Sequence, residues 1–155
     1  MSSIQFSSIQ FRLLDWAAAH EAASATRREV FIVEQGVPAD LEWDTWDALS
    51  LHCLAVDGTG TALGTGRLLP DDNQGTARLG RMAVLAAWRG RGVGTGILGA
   101  LVDAARQRNT RRIELHAQVH AAAFYRRCGF CEEGGIFDEA GIPHIAMFRM
   151  LNPLN

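Results

Sequence analysis

Apolar and polar residues change their spacing several times along the chain, and each change marks an element. Ile9 to Leu14 alternates as a strand does, and Asp15 stands where it can cap a helix whose alanine-rich body runs towards Arg28 or beyond. Gly36 to Ser50 carries Pro38 and a cluster of tryptophans and acids, and reads as a loop. Leu51 to Val56 and Ala62 to Leu69 look like the two arms of a hairpin across Asp57-Gly58-Thr59-Gly60. A turn from Asp71 to Gly75 then leads to a strand over Ala77 to Val84. From Val93 the spacing becomes helical: Val93, Ile97, Leu98, Leu101, Val102 and Ala105 share a face, and Arg106, Arg108, Arg111 and Arg112 gather near the C-terminal end, where cations suit the dipole. Ile113, Leu115 and Ala117 alternate with Glu114, His116 and Gln118, the period of a strand. Ala121 to Cys128 predicts a short helix closed by Gly129, and Phe130 to Leu151 a final hairpin turning at Glu139-Ala140-Gly141. This order predicts an α/β (α+β) chain: a mixed, partly antiparallel sheet with helices packed on it.

Composition narrows the partners. The 155 residues suit one domain, and no Pro/Gly/Ser-rich linker divides them, so a single domain over 1–155 is expected. A net charge of -2 gives no electrostatic case for nucleic acid or an anionic membrane, which leaves small molecules and peptides as the expected partners. No apolar run approaches a membrane span and Met1 to Leu14 lacks the pattern of a leader, so the cytoplasm is the expected location. Cys53, Cys128 and Cys131 are expected to be free thiols. All fifteen basic residues are arginines, which excludes Schiff-base lysine chemistry and a phosphate loop of the G-x-x-x-x-G-K-[ST] type. Ser2-Ser3-Ile4-Gln5-Phe6 is repeated at once as Ser7-Ser8-Ile9-Gln10-Phe11, too short a unit for a solenoid; it reads as a frayed terminus or a cloning remnant.

The chemistry gathers at Arg89-Gly90-Arg91-Gly92-Val93-Gly94-Thr95. Glycines let successive backbone N–H groups turn to one point at a helix start, where the dipole adds positive character, and such a site suits a pyrophosphate. Arg89 and Arg91 stand ready to add charge-assisted hydrogen bonds. Gly94-Thr95-Gly96-Ile97-Leu98-Gly99 matches G-x-G-x-x-G, with Glu114 where a ribose-binding acid belongs. A dinucleotide fingerprint leaves directly from a strand end, however, and here a polar turn intervenes, so Gly96 and Gly99 fall inside the helix. His116-x3-His120 and Cys128-x2-Cys131 have zinc-ligand types, but the histidines straddle a strand end and Gly129-Phe130 redirects the chain between the thiols, so no metal is expected.

Strand, short loop, Arg89-x-x-Gly92-x-Gly94 and helix together resemble the acyl-CoA motif [RQ]-x-x-G-x-[GA] of the GNAT superfamily of N-acyltransferases. Phe124-Tyr125-Arg126-Arg127-Cys128-Gly129-Phe130 is similar to the family's F/L-Y-x-x-x-G-F signature. Val30-Phe31-Ile32-Val33-Glu34-Gln35, Gly64-Thr65-Gly66-Arg67-Leu68 and Leu115-His116-Ala117-Gln118 resemble the ElaA/YjcF-like branch. The resemblance implies a sheet of six or seven strands splayed between strands 4 and 5, with about four helices, and acetyl-CoA as acyl donor. It lays the pantetheine arm along Met82-Ala83-Val84, with the Met82 N–H on the thioester oxygen, and puts Gln118 where many members carry an asparagine on that arm. Tyr125 matches the usual general acid. Also implied are direct attack by a primary amine of a small molecule or peptide and, since members are often dimers, room for a homodimer.

The amine must lose a proton, and Glu114, His116 and Gln118 share a strand face. His116 leads as base because imidazole titrates near neutrality; Glu34 and His52 are further candidates. Glu42-Trp43-Asp44-Thr45-Trp46-Asp47 interleaves carboxylates with indoles, a pattern that can hold a cationic amine. Trp43, Asp44 and Asp47, with Glu34, His52 and Glu114, are therefore the expected acceptor-side residues. Three readings stay open at this point: an N-acetyltransferase, a non-catalytic acyl-CoA binding module, and a structural protein without affinity for CoA.

Overall fold

A computed structural model describes residues 9–152; the duplicated segment up to Ser8 lies outside them. Seven strands form one sheet in the order β1-β2-β3-β4-β5-β7-β6. They are β1 (Gln10–Leu14), β2 (Leu51–Val56), β3 (Ala62–Leu68), β4 (Thr76–Val84), β5 (Arg112–Gln118), β6 (Cys131–Glu139) and β7 (Ile142–Met150). The helices are α1 (Trp16–Arg27), α2 (Ala39–Glu42), α3 (Val93–Gln107) and α4 (Ala122–Arg127). Strands β1 to β4 pair antiparallel, as do β5, β7 and β6. The two halves meet at a parallel seam of three rungs, Thr76 to Arg112, Ala77 to Ile113 and Arg78 to Glu114, beyond which β4 and β5 part.

Asp15 caps α1, its carboxylate accepting from the Ala18 N–H at 2.9 Å. A π-helical stretch, Arg28–Glu34, continues the helix and buries Val30 and Phe31 against Ala83 and Val37. Gly36 to Ser50, read as a loop, instead contains α2 and a 3₁₀ turn over Asp47–Leu49. Side chains of this segment fold inward onto arginines, so local turns form where sequence alone shows only polar residues.

On α3 the buried residues are the six apolar ones of its predicted face. Each fully buried Val, Leu or Ile contributes roughly 1.5–3 kcal/mol. The helix lies close on β3: a β-carbon on Gly66 would meet Ile97 at 2.9 Å and Met82 Sδ at 2.6 Å, and one on Gly64 the Ala83 carbonyl and Ile97, both at 2.9 Å. Within α3, a β-carbon on Gly96 would overlap the Phe11 ring at 2.0 Å. That helical glycine therefore serves close packing against β1. Among the described residues no helix is long and apolar enough to cross a membrane. The three cysteines are unpaired, and burial pushes the Cys53 thiol up to about 12.

Candidate functional site

Strand β4 loses β5 after Arg78 and misses β3 at Arg81 and Met82 before pairing with it again at Ala83 and Val84. Thr65 of β3 faces Ala83 and Arg67 faces Gly80, so β4 carries one extra residue between these rungs. This is a β-bulge, and Arg81 in it has φ 50, a left-handed conformation rare for a residue with a side chain. Arg81 and Met82 have no rung on β3, and the seam with β5 has already ended at Arg78. The Met82 backbone thus fronts the splay, while its side chain and that of Val84 pack on the main core, which also contains Tyr125.

The chain leaves β4 through a short 3₁₀ turn, Ala86–Trp88, and reaches α3 through two left-handed glycines, Gly90 (φ 75) and Gly92 (φ 83). Gly92 caps α3 without a side chain, so the N–H groups of Val93, Gly94 and Thr95 have no partner in the helix. Nothing lies within 4 Å of where β-carbons on Gly90 and Gly92 would stand, so a bulky anion can approach this backbone. Arg89 does not point freely at that space. It grips both oxygens of Glu34 at 2.5 and 2.6 Å and donates from Nε to the Val84 carbonyl at 3.0 Å. Arg89 in turn holds the Glu34 carboxyl below its ordinary pKa. The Arg91 guanidinium lies over the Trp88 ring, 4.9 Å from its centroid.

Tyr125 stands on α4, buried edge-on between Phe124 and Phe130. Among the described residues its hydroxyl has no hydrogen-bond partner, and burial raises its pKa, with a further contribution from Cys128. The phenol therefore keeps its proton. Phe124 beside it is the group nearest to where a β-carbon on Gly94 would stand, at 3.4 Å, which ties α4 to the start of α3.

Across the splay, the outward face of β5 presents Glu114, His116 and Gln118. Gln118 exchanges two amide hydrogen bonds with Gln35, at 3.0 and 3.3 Å, which bridges β5 to the segment packed on β4. His116 Nδ1 lies 2.8 Å from Glu139 Oε1, so the carboxylate accepts from Nδ1, and the Nε2 lone pair accepts from an Arg78 nitrogen at 3.3 Å. The second Glu139 oxygen lies 3.7 Å from His144 Nε2, and His144 Nδ1 donates to the Ile142 carbonyl at 2.7 Å. Arg78, Glu114, His116 and Glu133 border a cavity of about 220 Å³ floored by Ala146 and Met147. Arg112, at 3.3 Å from Glu114, also holds Glu133 at 3.1 Å.

The remaining expected acceptor-side residues lie on the other half of the sheet, and arginines hold their carboxylates. Arg27 is 1% exposed and bonds Glu42 and Asp47, each at 2.7 Å, with its guanidinium over Trp43 on one side and Trp16 on another. Arg67 holds both oxygens of Asp44 at 2.7 Å and Asp47 at 2.9 Å; Arg81 reaches Asp44 at 3.2 Å and Glu42 at 3.4 Å. Three acids thus meet three arginines. Burial pushes the Glu42 carboxyl up against the pull of Arg27 and Arg81, while the hydrogen bond from Arg67 pulls Asp44 down. Beside this network, Trp16, His20, Ser24, Trp43 and Asp44 line a cleft of about 460 Å³. Sequence reasoning passed over Arg27, Arg67 and Arg81 as structural partners and gave no site role to Gln35, Arg78, Glu139 or His144. Arg27 alone left a signal, since it falls on the helical face of Ala19, Ala23 and Val30.

His52 is buried, with Nε2 donating to the Asp47 carbonyl at 2.8 Å and its ring 4.7 Å from Trp16. Burial lowers its pKa from the ordinary 6.5, outweighing the opposing Asp47 hydrogen bond. An unfolded chain takes up this proton below pH 6.5 while the folded one resists it, so stability is full above that value and declines as pH falls. The decline is at most about 1.4 kcal/mol per pH unit. Urea unfolding followed down from neutral pH should show that slope in the wild type and a flatter one in His52→Gln. Equal slopes would assign the titration to another group.

Among the described residues no group of three or more His, Cys, Asp or Glu side chains is placed to hold a metal ion. Comparison with known proteins identifies the family. Residues 13–130 match the model of the acetyltransferase (GNAT) family. The N-acetyltransferase YjcF of Bacillus subtilis, itself uncharacterised, is 38% identical over 125 residues, covering 79% of this chain and 86% of YjcF. An acyl-CoA N-acyltransferase from Pseudomonas aeruginosa superposes with a TM-score of 0.81 at 31% identity, over 92% of this chain and 99% of that one. Escherichia coli ElaA does so with a TM-score of 0.82 at 27% identity, again over 92% and 99%.

Proposed function

Because the chain belongs to the acetyltransferase (GNAT) family, in its ElaA/YjcF-like branch, and is an acyltransferase drawing on an acyl-CoA donor, we propose that it moves an acetyl group from acetyl-CoA to a primary amine of a small molecule or peptide. The observation that carries this reading is the pairing of two unpartnered backbone surfaces: the bulged end of β4 at Met82 and, eight residues on from Val84, the uncapped helix start at Gly92.

The free N–H groups of Val93, Gly94 and Thr95 receive the pyrophosphate, supported by the helix dipole. Ala83 and Val84 line the pantetheine arm, and the Met82 N–H meets the thioester oxygen, where negative charge develops during attack. His116 Nε2 takes the proton from the incoming ammonium, with Glu139 fixing the tautomer and steadying the imidazolium. The amine nitrogen then bonds the carbonyl carbon, and the tetrahedral intermediate collapses as the carbon–sulfur bond breaks. Tyr125 gives its proton to the departing thiolate and is reprotonated by the proton that the acylated nitrogen sheds as the amide forms. Glu114, on the face of His116, adds negative charge where an ammonium arrives. Asp44 and Asp47 are held by arginines and line the 460 Å³ cleft, so their part is to shape it, while Glu34 fixes Arg89 beside the glycine turn. Trp43 and His52 act with them from the same side.

The test is release of CoA thiol from acetyl-CoA over a panel of amines. Release that requires an amine, with the acetylated amine identified by mass, supports the reading. Binding of acetyl-CoA with no turnover on any amine would shift it to a non-catalytic acyl-CoA binding module.

A further inference from the structure

We infer that Arg81 is a positioning residue for the acyl-binding backbone: its side chain, held by Glu42 and Asp44, keeps the β4 bulge in the form that presents the Met82 N–H to the splay. This rests on the reading of Met82 given above. A residue at φ 50 is disfavoured unless it is glycine, and glycine is available one position earlier, at Gly80. The left-handed position nevertheless carries an arginine. Such a conformation persists only where surrounding contacts over-determine it, and here the contacts come from its own side chain.

Those contacts end on groups that other arginines also hold. Arg81 Nε donates to the Glu42 backbone carbonyl at 3.2 Å and a terminal nitrogen donates to Asp44 Oδ2 at 3.2 Å. Glu42 is clamped by Arg27, whose Nε takes its carboxylate at 2.7 Å and whose terminal nitrogen takes its carbonyl at 3.1 Å. Asp44 is clamped by both terminal nitrogens of Arg67. Helix α1, the segment from α2 to Asp47 and strand β3 therefore all anchor the guanidinium, and through it the backbone one residue before Met82. Arg67 Nε is the one fully buried side-chain donor of the network without a partner among the described residues. Asp44 also lines the 460 Å³ cleft beside Trp16 and Trp43, so the wall of that cleft and the acyl-binding N–H share one support.

The experiment needs no acceptor. Isotope-edited infrared spectra of acetyl-CoA labelled with ¹³C at the carbonyl are recorded bound to wild type, Arg81→Gly and Asp44→Asn, alongside calorimetry with CoA and circular dichroism. Glycine tolerates the left-handed bulge but removes the grip; Asp44→Asn keeps residue 81 and weakens it, and serves if Arg81→Gly does not fold. The wild-type band should shift to lower frequency than that of free acetyl-CoA. In the variants it should return towards the free value while CoA affinity is retained, and kcat with any accepted amine should fall about 10²-fold at unchanged KM for acetyl-CoA. A merely structural role would lower thermal stability and leave the frequency of the bound carbonyl in place, and that result in a folded variant overturns the inference. A wild type that binds acetyl-CoA with no carbonyl shift would instead sink the Met82 reading, and this one with it.

Discussion

Replacing Tyr125 by phenylalanine is expected to leave folding and acetyl-CoA binding intact while reducing amine-dependent thiol release by about 10²–10⁴-fold, the usual contribution of a positioned proton donor. Structure separates the two consequences. The ring is buried edge-on against Phe124 and Phe130, and phenylalanine keeps those contacts. Since the hydroxyl has no partner among the described residues, its removal strands no buried donor or acceptor. Burial holds the phenol's pKa above its ordinary 10, so the proton is in place at neutral pH. Thiol release is followed with a chromogenic disulfide at saturating amine, and melting temperature is measured in parallel. Turnover at the wild-type rate in the variant would remove Tyr125 from the mechanism.

A second large effect is expected at the turn. Gly92→Glu should lower the affinity for both acetyl-CoA and free CoA by more than about 100-fold, because a carboxylate at the α3 start occupies and repels the place meant for phosphate. Crowding is not the cause, since no atom lies within 4 Å of where a β-carbon would stand. The left-handed φ of 83 costs any L-residue about 1–2 kcal/mol. Gly92→Ala carries that cost without the charge, and calorimetry on the pair separates them: the alanine variant should bind within about tenfold of wild type. Equal binding by Gly92→Glu and wild type would move the pyrophosphate away from this turn.

What could be read in advance depended on how local its cause is. The buried face of α3 was legible because helical spacing alone sorts Val93, Ile97, Leu98, Leu101, Val102 and Ala105 from their neighbours. The strands and the caps at Asp15 and Gly129 were legible for the same reason. The splay between β4 and β5 came with the family resemblance and not from periodicity; the structure traces it to a seam of three rungs. Long-range pairing was illegible. Glu139 meets His116 only because β6 shifts register between Glu133 and Phe137, across two glycines that carry no alternation to read. The carboxylates of Glu34, Asp44 and Asp47 looked available for an amine because nothing local shows that Arg89, Arg67 and Arg27 reach them from other elements. Of those, Arg27 was findable, as a charge on an otherwise apolar helical face.

Three rungs between β4 and β5 also divide the sheet into two plates, under which one shared core is packed. One plate carries the bulge and the glycine turn; the other carries His116 and leads into the helix of Tyr125. Groups assigned to the proposed reaction thus sit on separate plates, and the end of pairing after Arg78 opens the gap between them. The Gln35–Gln118 amide pair is a second fastening across the same gap. In the proposed reaction the spacing of the reacting groups is therefore an inheritance of strand pairing, so a substitution in these few rungs is expected to change the rate while every reacting atom stays as it was.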